Sequence, residues 1–324
     1  MQSPATSRRL IIVRLPNWIG DVCMSLPSLQ ALAEADFDLI VCGRPWAKDL
    51  VAQFRAVDFI PLSGRFWSDL KALRTLPKSL RRNALGLVLP DSLSSAALFF
   101  LSGIRALGYR DDGRSFMLHW PVSKPTEIGH AVSKWWHLTI HALERWSGAK
   151  DFSEIPLPAS LCLLDADLSH AHEALQSHKL KAGEFVLVAP TAVGLHHGNI
   201  KVWPHFSELV HRFKAIGVPV VACPPQQERA QALAILDEEI LIEPLDLRSF
   251  CALTTLAGLV VCNDSGVSHL AAAAGAKQLT LFGVTDPKNT RPWSTKAQYV
   301  GGPDGWPGLD EVVERCIQML HRAP

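Results

Sequence analysis

Short apolar runs alternate with segments of helical spacing along almost the whole chain. Arg9 to Leu15 ("RLIIVRL") reads as a buried strand, and Asp21 to Ala35 as a helix with Val22, Leu26, Leu29 and Ala33 on one face. Pro27 should kink that helix or shorten its first turn. Strands follow at Phe37 to Cys42, Val57 to Ile60, Leu85 to Pro90 and Arg105 to Tyr109. Helices are expected at Pro45 to Arg55, Trp67 to Arg82, from Leu93 to near Gly103, and at His130 to Ser147. Gly148 to Asp167 loses the periodicity and reads as a linker. The alternation then restarts, with strands at Phe185 to Ala189, Val218 to Cys223, Ile240 to Ile242, Gly258 to Cys262 and Gln278 to Phe282. Helices are expected at Pro204 to Ile216, Gln226 to Leu236, Leu247 to Leu256 (capped by Asp246), Gly266 to Ala274 and Leu309 to Arg322.

Strands alternating with helices give parallel sheets covered on both faces. Two such runs and a linker predict an α/β chain of two Rossmann-like, doubly wound domains facing a central cleft. The expected domains are 1–160 and 161–324, and the last helix is free to pack back on the first. The 324 residues agree with about two domains at roughly 150 residues each. A net charge of +1 gives no field to draw the chain onto nucleic acid. No apolar run reaches the ~20 residues of a membrane span, and the N-terminus lacks the apolar core of a signal peptide. Seven scattered cysteines, with no C-x-x-C pair, read as small buried hydrophobes in a reducing compartment. The expected location is the cytoplasm.

Neither G-x-G-x-x-G nor a phosphate-loop spacing is present, so a dehydrogenase is not expected. Three strand-to-helix turns carry the chemistry instead. In "LPNWIGD", Gly20 allows a tight turn and Asp21 opens the helix. Asp21 is either a cap or a carboxylate kept ionised to accept a proton. In "PTAVGLHHGNIKVWP", Thr191 and Lys201 are candidates for phosphate oxygens. Lys201 reads as an exposed loop lysine whose loss should barely change stability. In "VCNDSGVSHLAAAAG", Asp264, Ser265, Gly266 and His269 sit between a strand and a helix, as a capped start or as an anion site. His137 and His141 have a metal-ligand spacing, but no third ligand is evident. Gly64 to Arg82 is strongly basic: a solvated face, or a contact for an anionic membrane or phosphorylated lipid.

Together these blocks resemble glycosyltransferase family 9, the ADP-heptose:lipopolysaccharide heptosyltransferases, and its second branch more than its first. The carriers are "RLPNWIGDVCMSLPSLQAL", "LPDSLSSAALFFLSGI", "HAVSKWWHL", "IKVWPHFSELV", "PPQQERA" and "VCNDSGVSHLAAAAG…LFGVTDP". The resemblance implies a GT-B fold, acceptor domain first and nucleotide-sugar domain second. It implies inverting transfer of heptose from an ADP-sugar to a lipid-linked acceptor, the lipid A-core, with no cofactor or metal and with peripheral contact at the inner membrane. Asp21 then matches the general base, and Asn17, Trp18 and Gly20 lie on the acceptor side. Thr191, Lys201, Asp264, Ser265, Gly266 and His269 match the residues around diphosphate and sugar, and Glu228 the acid that holds the ribose. The Pro190-Thr191-Ala192 turn and the His196-His197 pair depart from the family pattern. A sugar-nucleotide epimerase or hydrolase on the same scaffold, and a non-catalytic nucleotide-sugar binder, are the alternatives.

Overall fold

The computed structural model describes residues 8–321, apart from 36, 55, 127–128, 150–153, 158–159, 193–194 and 197. It divides into two compact units, 1–158 and 159–324.

The first unit comprises β1 (Arg9–Arg14), α1 (Ile19–Glu34), β2 (Phe37–Gly43), α2 (Ala47–Val51), β3 (Ala56–Pro61), α3 (Phe66–Arg74), α4 (Lys78–Asn83), β4 (Leu85–Val88), α5 (Leu93–Ser102), β5 (Arg105–Tyr109), β6 (Trp120–Val122) and α6 (Ala131–Ser147). Its sheet is parallel, in the order β3-β2-β1-β4-β5-β6. Helices α3 and α5 bury Leu70, Leu73, Leu98 and Phe99 against Ile12, Ile40 and Val88 of the sheet. Helix α1 packs on α6. The expected single helix from Trp67 to Arg82 is two helices, because Pro77 lacks an N–H and disfavours helical backbone in Leu76. Pro27, by contrast, is accommodated within the sixteen residues of α1.

The second unit comprises α7 (Asp165–Ser177), β7 (Val186–Ala189), β8 (Leu195–His196), β9 (Asn199–Ile200), α8 (Phe206–Ala215), β10 (Val220–Val221), α9 (Arg229–Leu233), α10 (Leu247–Leu256), β11 (Leu259–Asn263), α11 (Gly266–Ala274), β12 (Gln278–Phe282), α12 (Pro287–Thr290), β13 (Ala297–Gly301) and α13 (Leu309–His321). The main sheet is parallel in the order β10-β7-β11-β12-β13. Asp246 caps α10 as expected, accepting from the N–H groups of Arg248 and Ser249 at 3.0 and 2.9 Å. The C-terminal helix α13 buries Val312, Cys316 and Met319 in the core of this unit.

Three expectations change here. Residues 240–242 form no strand: Glu238 to Ile240 is a 3-10 turn, and Leu241 makes an isolated bridge to Ala222. The helix expected from Gln226 to Leu236 is a 3-10 turn and then the short α9. The end of the expected linker is the start of α7, whose Leu164 N–H is bonded by the Asp167 carboxylate at 2.7 Å.

Strand order decides where ligands gather. In the first sheet the order reverses between β1 and β4, and in the second between β7 and β11. Such switch points open a crevice beyond the carboxyl ends of the strands. Asp21 stands in the first turn of the helix that follows β1, and Asp91 in the loop after β4. The loops after β7 and β11 hold Thr191, Lys201 and Asp264.

Candidate active site: two switch points

In the first unit, α1 begins at Ile19, two residues earlier than expected, with Trp18 at the N-cap. Trp18 has no side-chain cap to offer, and Asp21 lies within the first turn. Gly20 is inside that turn and is absent from the left-handed region, so it is not the hinge the sequence implied. Asn17 accepts a hydrogen bond from the Arg14 guanidinium at 2.6 Å, which ties the loop to the end of β1. Trp18 projects into solvent.

Burial raises the Asp21 carboxyl above the usual aspartate range; the nearby Lys134 charge opposes this and Asp91 adds to it. Asp91, at the end of β4, accepts from Lys134 at 2.8 Å and Lys124 at 2.9 Å. Burial works to raise its carboxyl too, but the two lysine hydrogen bonds outweigh it and hold it at about 2. Lys124 also reaches Asp111 at 3.2 Å. Two carboxylates on neighbouring strand ends are therefore pushed apart, one weakened as an acid and one locked as an anion, a separation typical of acid/base sites. No role was assigned to Asp91, Lys124 or Lys134 from the sequence, although "LPD" and "HAVSKWW" were recognised. The available signal was an acid directly after a strand.

Beside this cluster, Tyr109 Oη donates to the Lys134 carbonyl at 2.6 Å and lies 3.3 Å from His137 Nδ1. His137 meets His141 edge to face at 4.6 Å between rings. Among the described residues no group of three or more His, Cys, Asp or Glu side chains is arranged to hold a metal ion.

In the second unit the predicted residues come together on two loops. Asn263, fully buried at the end of β11, accepts from the Trp203 N–H at 2.9 Å and donates to the Pro190 carbonyl at 3.0 Å. One side chain thus staples both ends of the loop that carries Thr191 and Lys201. Trp203 is locked from its other side by Nε1 donating to the Pro307 carbonyl at 2.9 Å. Lys201 Nζ sits 2.9 Å from Asp264 Oδ2, with side-chain exposures of 21% and 5%. Thr285 Oγ1 donates to the same carboxylate at 2.7 Å. The sequence read Lys201 as an exposed loop lysine of no consequence for stability; the structure corrects this, because it neutralises a buried carboxylate. Thr191 Oγ1 donates to Glu228, so the expected phosphate and ribose contacts form a pair.

The capping account of α11 does not survive. Ser265 is the N-cap in extended backbone, yet its side chain makes no capping hydrogen bond. Its Oγ is buried with no partner among the described residues. Asp264 is committed to Lys201 and Thr285, and the first turn of α11 holds no acid. Gly266 is the first helical residue with ordinary helical backbone, and His269 is buried one turn in. Of the histidine pair, His196 contributes backbone to β8 and His197 lies outside the described residues.

Two parallel doubly wound units, each with polar side chains gathered at its switch point, are the architecture of the GT-B fold. The solved structure of E. coli ADP-heptose lps heptosyltransferase II superposes with a TM-score of 0.75 at 23% identity, covering 96% of this chain and 98% of that one. A glycosyltransferase family 9 protein from Veillonella parvula gives 0.81 at 14% identity, covering 96% and 97%. In sequence, the chain is 26% identical over 316 residues to Haemophilus influenzae lipooligosaccharide heptosyltransferase 2, covering 90% of this chain and 88% of the relative. The E. coli K12 lipopolysaccharide heptosyltransferase 2 is 26% identical over 318 residues, covering 90% and 87%. The profile of glycosyltransferase family 9 (heptosyltransferase) matches residues 73–317. The chain belongs to glycosyltransferase family 9 and is a glycosyltransferase. Membership selects the transferase over the epimerase, hydrolase and passive binder, and supports heptose as the sugar moved.

Proposed function

We propose that this protein transfers heptose from ADP-heptose to the lipopolysaccharide inner core with inversion at the anomeric carbon. The observation that carries the reading is the start of α11, uncapped by its own side chains. The Ser265 hydroxyl is buried with no partner among the described residues, and the Lys201 ammonium stands 2.9 Å from the carboxylate of the preceding residue, Asp264. A helix N-terminus attracts anions through its N–H groups and dipole. Asp264 orients Lys201 beside it. A diphosphate satisfies all three, and Glu228, held by Thr191, takes the ribose hydroxyls.

Asp21 is the general base. The acceptor hydroxyl oxygen bonds to the anomeric carbon as the bond from that carbon to the diphosphate oxygen breaks. The hydroxyl proton passes to Asp21 and ADP departs. A carboxyl raised by burial is a stronger base once ionised, and general-base catalysis contributes roughly 10²–10⁴-fold. Charge growing on the leaving diphosphate is met by Lys201 and by the N–H groups from Gly266 onward, preorganised rather than recruited. The acceptor is a lipid-linked core oligosaccharide, which sets the enzyme on the cytoplasmic face of the inner membrane as a peripheral protein. No helix of the described residues is long and apolar enough to cross a membrane.

The test is a panel of nucleotide-sugars in a thermal-shift assay, followed by transfer to heptose-bearing core acceptor in EDTA. ADP-heptose should raise Tm, since a ligand bound only by the native state stabilises it, and turnover should persist in chelator. Stabilisation by a uridine nucleotide-sugar alone, or turnover restored only by Mg²⁺, overturns the donor or the metal-free mechanism respectively.

A further inference from the structure

Helix α5 has no charged residue, and its outer side is apolar apart from the exposed Ser94. It buries Ala96, Leu98 and Phe99, while Leu93, Phe100 and Leu101 are exposed. Leu93, Ala97, Phe100 and Leu101 follow an i, i+4, i+7, i+8 spacing, so they form a stripe. Phe116, 71% exposed, extends the stripe, its ring 6.5 Å from that of Phe100.

The neighbouring helices supply the opposite chemistry. Lys71, Arg74, Lys78 and Arg82 are exposed on α3 and α4, and the single acid there, Asp69, is turned inward to accept from the Ser63 and Gly64 N–H groups. Trp67, Lys71 and Arg74 share one face of α3, with Trp67 75% exposed. The two surfaces are continuous. Arg74 donates to the Leu101 carbonyl at 2.9 Å, and Arg81 to the carbonyl of Ser102.

We infer that this face of the first unit, α3, α4 and α5 with Phe116, is the surface that docks on an anionic lipid bilayer. Trp and Phe side chains insert at headgroup depth while lysines and arginines meet lipid phosphates, the combination that makes interfacial binding selective for anionic lipid. An acidic protein would match the cations but not an apolar stripe of this kind, and a second copy would set like charges against each other. The inference deepens the lipid-linked acceptor reading: it names the surface that brings the enzyme to such an acceptor.

Flotation of the full chain with phosphatidylcholine vesicles, with and without phosphatidylglycerol, tests it. Binding should require phosphatidylglycerol and weaken steeply with salt. Lys71→Glu/Lys78→Glu/Arg82→Glu should lower partitioning roughly 100-fold or more, at about fivefold per lost charge. Phe100→Ser/Phe116→Ser should lower it about 10- to 100-fold, and Trp67→Ala by less. Arg74 and Arg81 are left intact because they hold carbonyls of α5, and unchanged Tm values verify folding. No vesicle binding, equal binding of wild type and both multiple variants, or a dimer in sedimentation that Phe100→Ser disrupts would each overturn the inference. The readout needs neither donor nor turnover, so its failure is distinct from failure of the transferase reading.

Discussion

Helices α1 and α11 begin alike and differ in the charge they carry in the first turn. Each follows a parallel strand at the point where its sheet reverses order, and neither N-cap side chain bonds the first turn. Helix α1 carries its own anion, Asp21, in that turn. Helix α11 has none, and the acid just before it is paired with Lys201 and hydrogen-bonded by Thr285. The same backbone device, a helix N-terminus with a positive dipole end, therefore stands in two different settings. In α1 the first turn carries a carboxylate; in α11 it carries none. The surroundings follow suit. The first site is an open network of carboxylates and lysines, while the second is built from buried hydrogen bonds that fix two loops in register.

The contrast breaks first at Asp21. Asp21→Asn should lower kcat roughly 10²–10⁴-fold with donor affinity near wild type. It should also raise Tm at neutral pH. A carboxyl raised on folding contributes stability that is fully present below its unfolded value and is lost as pH rises through the folded one. The Tm advantage of the variant should therefore shrink toward zero as pH falls below about 4. Calorimetry across pH beside initial rates checks both, and normal turnover would remove Asp21 from the reaction.

Lys201→Ala is the next test. Loss of a charge-assisted contact worth about 1.5–3 kcal/mol predicts an ADP affinity roughly 10- to 150-fold weaker by titration calorimetry. Because the change leaves Asp264 buried without its cation, Tm should fall as well. The paired change Lys201→Met/Asp264→Asn should recover much of the Tm and none of the affinity. Recovery of both would reduce the lysine to a structural partner.

The smallest effect falls on Ser265. With no hydrogen bond to lose, Ser265→Ala should leave Tm nearly unchanged while ADP binding weakens about 2- to 12-fold, the worth of one hydrogen bond of about 0.5–1.5 kcal/mol. A capping serine would behave oppositely, costing about 1 kcal/mol of stability with affinity intact.

Much of this was written in the chain. Strand and helix order followed from apolar periodicity, and so did the location of both polar breaks. Expectations failed where local pattern is weakest: at Pro77, which splits a helix; at residues 240–242, where a 3-10 turn and a single bridge stand in place of a strand; and at the edge strand β6, where Pro121 masks the signal. What the break after β11 is for was not legible. "NDSG" is equally a capping sequence and an anion site, because the two differ only in where three side chains turn.

Local propensity determined that Asn263, Asp264 and Ser265 would stand between a strand and a helix. Only the tertiary structure decided that Asn263 would bond Trp203, 60 residues away, and Thr191 would bond Glu228, 37 residues away. These pairs depend on strand order, which lays β7 between β10 and β11 and brings their carboxyl ends onto one edge. A side chain's partner is set by what the sheet brings next to it, and that information is spread over every contact in the core, not held in the stretch that carries the residue.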